Sequence, residues 1–167
     1  PGEFSRVYVT EVQLQLQGVD PHVTPEDVER VFQMADEEIQ PVRGVIIHRS
    51  PAWFMVDEGK KTMEPVGLKG GVLRALVSFI VADEFFLKDI ARRMQRLNME
   101  VAGFFSSPMG KALLFLPLED RDRTSVLIDV GYLSCEVMAV EGDALVFHKV
   151  LPVGGAHITL DLTYGLE

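Results

Sequence analysis

From Arg6 to Gln17 apolar residues alternate with polar ones, at Val7, Val9, Val12, Leu14 and Leu16, and the break in phase at Thr10-Glu11 predicts a strand carrying a bulge. Gly18-Val19-Asp20-Pro21 interrupts the pattern. Thr24-Pro25-Glu26-Asp27 then has the chemistry of a helix start: a hydroxyl to accept from unpaired N–H groups, a proline where no donor is needed, and acids where the helix dipole favours negative charge. Val28, Val31, Phe32, Ala35 and Ile39 follow at helical spacing until Gln40-Pro41. Val42 to Ile47 and Ala52 to Val56 read as successive strands, with His48-Arg49-Ser50-Pro51 as the turn between them. Asp57 to Gly71 is polar and carries Pro65, Gly67, Gly70 and Gly71, which predicts an exposed connection. Val72 to Val81 resumes a strand. Asp83-Glu84 opens a helix that places Phe86, Ile90, Met94 and Leu97 on one face, with Lys88, Arg92 and Arg96 opposite as a solvated or partner-binding face.

Beyond that helix the periodicities are shorter. Asn98 to Gly103 is a turn, Pro108-Met109-Gly110 precedes an apolar segment from Ala112 to Leu116, and the mixed-charge run Glu119 to Arg123 is the best boundary, because such a stretch does not suit a core. Two strands follow, Ser125 to Val130 and Glu136 to Val140, then Gly142-Asp143 as a hairpin turn, a strand from Ala144 to Leu151, and a final helix from Ala156. The predicted class is α+β, divided into residues 6–98, a connection with a short strand or helix at 99–123, and a second unit at 124–167. Residues 1–5 show no periodicity, read as a cloning remnant and are excluded from the predicted fold.

Composition removes several classes of function. Twenty-five acids against 16 basic residues, a net charge of −9, would repel a phosphate backbone, so nucleic acid is not an expected partner. The longest apolar runs fall far short of the roughly 20 residues of a spanning helix, so no direct membrane segment is expected. A single cysteine, Cys135, excludes an internal disulfide and a multi-cysteine zinc site, and fits a cytoplasmic setting. His22, His48, His148 and His157 lack metal-ligand spacing, so no metal is expected. In the strand containing Trp53 and Phe54 the two rings must point to opposite faces, and an exposed one would be a contact residue.

The stretch Val126-Leu127-Ile128-Asp129-Val130-Gly131-Tyr132-Leu133-Ser134-Cys135-Glu136 is a strand, a glycine turn and a second strand. In the actin/Hsp70 superfamily such a hairpin wraps nucleotide phosphates with backbone N–H groups, and glycine lets the backbone come close to the anion. With the Gly142 turn and the run Lys149-Val150-Leu151-Pro152-Val153-Gly154-Gly155-Ala156-His157-Ile158-Thr159-Leu160-Asp161-Leu162, this region resembles the cell-division actin-like family FtsA. Val23-Thr24-Pro25-Glu26-Asp27-Val28 resembles that family's helix opening, and Glu64-Pro65-Val66-Gly67-Leu68-Lys69-Gly70 its N-P-V-G-L-x-G loop. The resemblance implies a strand-helix-strand-strand (SHS2-like, 1C) subdomain at 6–98 and, at 124–167, a partial actin-like (ribonuclease H-like) lobe of antiparallel hairpin strands and a helix.

The resemblance further implies degenerate phosphate-site positions at Asp129, Gly131, Ser134, Gly154 and Gly155, while extended backbone with nearby aromatics makes the strand and loop at Trp53, Phe54, Pro65 and Leu68 the expected partner-binding surface. Where the family has consecutive glycines and threonines followed by aspartate, this chain has Gly131-Tyr132-Leu133-Ser134-Cys135-Glu136, so bulky side chains stand at the phosphate. The expected function is therefore protein–protein contact in self-association and with other cell-division proteins, at the inner face of the membrane through other regions or partners. This chain is expected to be non-catalytic and without a cofactor, with ATP and magnesium only in a full-length relative. The alternatives are an actin-like ATPase whose other lobes lie outside this chain and a related protein of pilus assembly, of the PilM kind.

Overall fold

A computed structural model of the protein describes residues 4–40, 42–121 and 123–165. The elements run β1 (Ser5–Gln15), α1 (Pro25–Ile39), β2 (Val45–Val56), β3 (Val72–Ala82), α2 (Glu84–Arg96), α3 (Ser107–Phe115), a 3-10 turn at Leu118–Asp120, β4 (Ser125–Val130), β5 (Cys135–Glu141), β6 (Ala144–Leu151) and α4 (Gly155–Gly165). They build two three-stranded antiparallel sheets, ordered β1-β3-β2 and β4-β5-β6. The class is α+β, with the strand-helix-strand-strand order in the first half.

Helix α1 starts where its chemistry dictates. The Thr24 hydroxyl accepts from the Asp27 N–H at 3.2 Å while the Asp27 carboxylate accepts from the Thr24 N–H at 2.9 Å, a reciprocal cap with Pro25 in the first turn. Val31, Ala35 and Ile39 are its buried stripe. They close over Val12 of β1, Phe54 and Val56 of β2, and Leu73, Ala75, Val77, Phe79 and Val81 of β3.

The other face of the same sheet is covered too. Ile80 of β3 packs with Met109, Ala112, Met138, Val140 and Leu145, and Ala52 and Trp53 pack with Ala144, so the second sheet and α3 lie against the first sheet. This explains why β3 is buried continuously from Val77 to Ala82 rather than on alternate residues.

The two-sided burial corrects several expectations. The predicted bulge in β1 is absent, since its pairing with β3 runs unbroken from Ser5–Ala82 to Gln15–Val72; the phase break arises because Val7 packs toward the second sheet while Tyr8 packs toward α1. The predicted turn at His48 to Pro51 is instead the middle of one strand, β2. Its pairing with β3 shifts between Ile46 and His48 and between Pro51 and Trp53. β2 is an edge strand, where a proline costs no ladder bond and an irregularity accommodates it.

Phe4 and Ser5, excluded above, belong to the fold: Ser5 pairs with Ala82, and the Phe4 ring stacks on Phe86 at 4.1 Å. Pro1, Gly2 and Glu3 lie outside the described residues. The segment 107–115 is a helix, capped by the Ser106 hydroxyl accepting from the Met109 N–H at 3.4 Å, with Pro108 in its first turn. Nor is the charged run a free linker. Arg121, whose side chain is only 11% exposed, donates to the carbonyls of Leu113 and Leu116 at the end of α3 and pairs with Asp143 at 2.8 Å. Asp122 lies outside the described residues. On α2 only Leu87 is buried, and Met94 and Leu97 of the predicted apolar face are exposed.

Candidate functional site: a glycine turn closed on itself

The β4–β5 turn and the start of α4 meet at the expected glycines. The Gly131 N–H donates to the Ser134 carbonyl at 2.9 Å, closing the turn. The Gly155 N–H donates to the Gly131 carbonyl at 2.9 Å, and the Ala156 N–H to the Tyr132 carbonyl at 2.8 Å. The Gly154 N–H donates to Nδ1 of His157 at 3.1 Å. A Cβ on Gly154 would lie 2.5 Å from the carbonyl oxygens of both Gly131 and Tyr132, so only glycine allows this approach. The free N–H groups of a helix start are a ready anion site. Here two of those donors face carbonyl oxygens of the hairpin turn.

Asp129 does not join this group. Its position on β4 turns the side chain toward α3, where Lys111 Nζ donates to Asp129 Oδ2 at 2.6 Å and to Glu136 Oε2 at 2.8 Å. Asp129 and Glu136 are directly opposite across the β4–β5 pair, so the lysine holds apart two like charges that would otherwise repel. The hydrogen bonds to Asp129 and Glu136, in that order, raise the Lys111 pKa above its ordinary 10.5 against the opposing effect of burial. The structure thus brings Gly131, Ser134, Gly154 and Gly155 together and places Asp129 in a separate ion cluster. Lys111 escaped the sequence reading; two acids at cross-strand positions were the available signal that a cation is required.

At the predicted partner surface, Trp53 and Phe54 point to opposite faces as strand geometry demands. Phe54 packs under α1, edge-on to Phe32 at 5.9 Å, and Trp53 packs against Ala144 of the second sheet. With both sheet faces covered, Trp53 is 8% and Phe54 3% exposed, which corrects the expectation of an exposed aromatic. Pro65 is buried as well, and only Leu68 is open to solvent. Lys61 spans the junction: its ammonium sits 4.7 Å over the Trp53 ring and pairs with Glu141 of β5 at 2.5 Å. Beside it lies a cleft of about 480 Å³ lined in part by Thr62, Met63, Arg121 and Asp143.

The architecture defines a class, an α+β chain in which a strand-helix-strand-strand unit of SHS2 type is followed by a three-stranded antiparallel sheet of hairpins. Residues 2–81 match the family model described as the SHS2 domain inserted in FTSA. The chain is 24% identical over 166 residues to the cell division protein FtsA of Bacillus subtilis, covering 99% of this chain and 38% of the relative. It is 26% identical over 142 residues to FtsA of Escherichia coli K12, covering 85% of this chain and 34% of the relative. A solved structure described as the PilM-PilN type IV pilus biogenesis complex aligns over 97% of this chain and 45% of its own, at 15% identity and a TM-score of 0.48. Residues 2–81 thus match the SHS2 domain of the FtsA cell-division proteins, and the chain spans little more than a third of the length of these curated relatives.

Proposed function

We propose that this chain is a protein–protein interaction part of an FtsA-like cell-division protein, supporting self-association and divisome assembly, and that it does no nucleotide chemistry itself. The observation that carries the reading is the outer face of the second sheet. Val126, Ile128 and Val130 of β4 are 60%, 58% and 65% exposed, and Phe147 of β6, on the same face, is 50% exposed. A contiguous apolar sheet face of this kind on a chain of net charge −9 is a contact surface rather than a solubility feature. The non-catalytic half of the reading rests on the glycine turn, where the Gly131, Gly154, Gly155 and Ala156 N–H groups are taken up internally and Tyr132 and Leu133 stand where the family has small residues. Among the described residues no helix is long and apolar enough to cross a membrane, so attachment at the division site would come through other regions or partners.

Two measurements test it. Sedimentation of the chain should show concentration-dependent association that Ile128→Asp weakens, with the circular dichroism spectrum unchanged. Calorimetric titration with Mg-ATP should show no binding tighter than about millimolar, about 4 kcal/mol of binding free energy. A strictly monomeric chain that binds Mg-ATP at micromolar concentration would overturn the proposal.

A further inference from the structure

A second groove runs between the two sheets, at their edges rather than their faces. It is about 870 Å³ in volume and is lined by Ser5 to Tyr8 of β1, by His148 to Val150 of β6, and by Leu133, Ser134 and Pro152. Consecutive residues from each strand line it, which a sheet face cannot provide because successive side chains alternate. Among the described residues β1 pairs only with β3, and β6 only with β5, so each strand has an edge without a partner strand there. Among the described residues no backbone hydrogen bond joins β1 to β6.

The charge around this groove departs from that of the chain. Net charge is −9, yet Arg6 and Lys149 line the groove and no aspartate or glutamate does. Among the described residues Arg6 and Lys149 take part in no ion pair, so their charges are free to meet a ligand's. The nearby acid, Glu136, is engaged by Lys111. Both uncommitted cations are exposed, so they do not stabilise the fold by burial.

We propose that this groove binds an extended acidic peptide segment of a partner protein, which adds a strand to the free edge of β1 or β6 while its carboxylates meet Arg6 and Lys149. Backbone pairing supplies the affinity in strand addition, and the side chains along the edge set the choice of sequence. A nucleic acid would satisfy the cations but leave the strand edges unpaired, and the lining offers the half-buried rings of Tyr8 and His148 rather than a stacking platform. The groove adjoins both earlier features, since Leu133 and Ser134 belong to the glycine turn and Lys149 shares a sheet face with Ile128, but Ile128 does not line it, so peptide binding and self-association can be read separately.

The test uses the full chain and fluorescein-labelled octapeptides, one alternating Glu and Val and one alternating Lys and Val, read by fluorescence anisotropy. The Glu-Val peptide should bind and weaken with added salt, the Lys-Val peptide should bind at least roughly tenfold more weakly, and Arg6→Glu with Lys149→Glu should reduce Glu-Val binding by a similar factor. Arg6→Gln with Lys149→Gln serves the same purpose if charge reversal disturbs the fold. Arg92→Glu with Arg96→Glu, on the distant α2, should leave binding unchanged. Equal binding of both peptides, equal loss with the α2 variant, or tighter binding of a labelled single-stranded oligonucleotide than of the Glu-Val peptide would each overturn the proposal.

Discussion

The Ser78 hydroxyl donates to the carbonyl oxygen of Leu145 at 2.5 Å, and both residues are 1% exposed. Ser78 is the polar residue in the centre of β3, paired across from buried Ser50 of β2, and Leu145 lies near the start of β6, so this bond fastens the two sheets at a polar spot on the second face of the first sheet. Ser78→Ala removes the donor and leaves a buried carbonyl without its partner, which costs about 1–3 kcal/mol. Urea unfolding should show a lower midpoint with an unchanged slope. A midpoint equal to that of the parent chain would mean the bond contributes nothing.

Two glycines separate backbone strain from packing. Gly67 has φ +86 with nothing within 4 Å of an added Cβ, whereas Gly142 has φ +58 and an added Cβ would overlap the Ala52 carbonyl oxygen. Gly67→Ala should cost only the left-handed backbone penalty of about 1–2 kcal/mol. Gly142→Ala should cost clearly more, because the β5–β6 turn would have to lift away from β2. Equal thermal shifts for the two variants would show that the sheets are not in close contact at this turn.

The ion cluster gives a third expectation. Lys111→Met removes the cation between Asp129 and Glu136 and leaves facing carboxylates, so the unfolding midpoint at neutral pH should fall. Adding Asp129→Asn to that variant should restore part of the loss. If the double variant is less stable than Lys111→Met alone, Asp129 has a structural partner other than Lys111.

How far these features were legible depended on whether their cause was local. The start of α1 was, because Thr24, Pro25 and Asp27 carry their capping chemistry within four residues. The turn at Gly142-Asp143 was, because a two-residue loop between alternating strands needs positive φ at a residue such as glycine. The continuity of β2 was not, since Pro51 breaks a central strand but not an edge strand, and edge position is a property of the sheet. The opposite orientation of Trp53 and Phe54 followed from strand geometry alone. Their burial did not, because what covers Trp53 is Ala144, far along the chain. The exposed stripe of α2 illustrates the converse: an amphipathic period specifies which residues share a face and not whether anything covers it.

His148 supplies a pH-dependent readout of the sheet packing. It sits opposite Met138 on β6, and its Nε2 is buried without a hydrogen-bond partner. Burial lowers its pKa below the ordinary 6.5; the charge of Glu136 opposes the shift and that of Lys111 adds to it. A histidine with a depressed folded pKa stays neutral in the fold while the unfolded chain takes up the proton first. The associated stability is therefore fully present above 6.5 and is lost as pH falls from 6.5 through the lower folded value. His148→Leu cannot protonate and leaves no unpaired nitrogen, so its thermal midpoint should match or exceed that of the parent chain at neutral pH. Between about pH 7 and pH 5, above the ordinary carboxylate range, the parent midpoint should fall more steeply than that of the variant. Parallel profiles for the two proteins would mean that His148 titrates in the fold as it does in the unfolded chain.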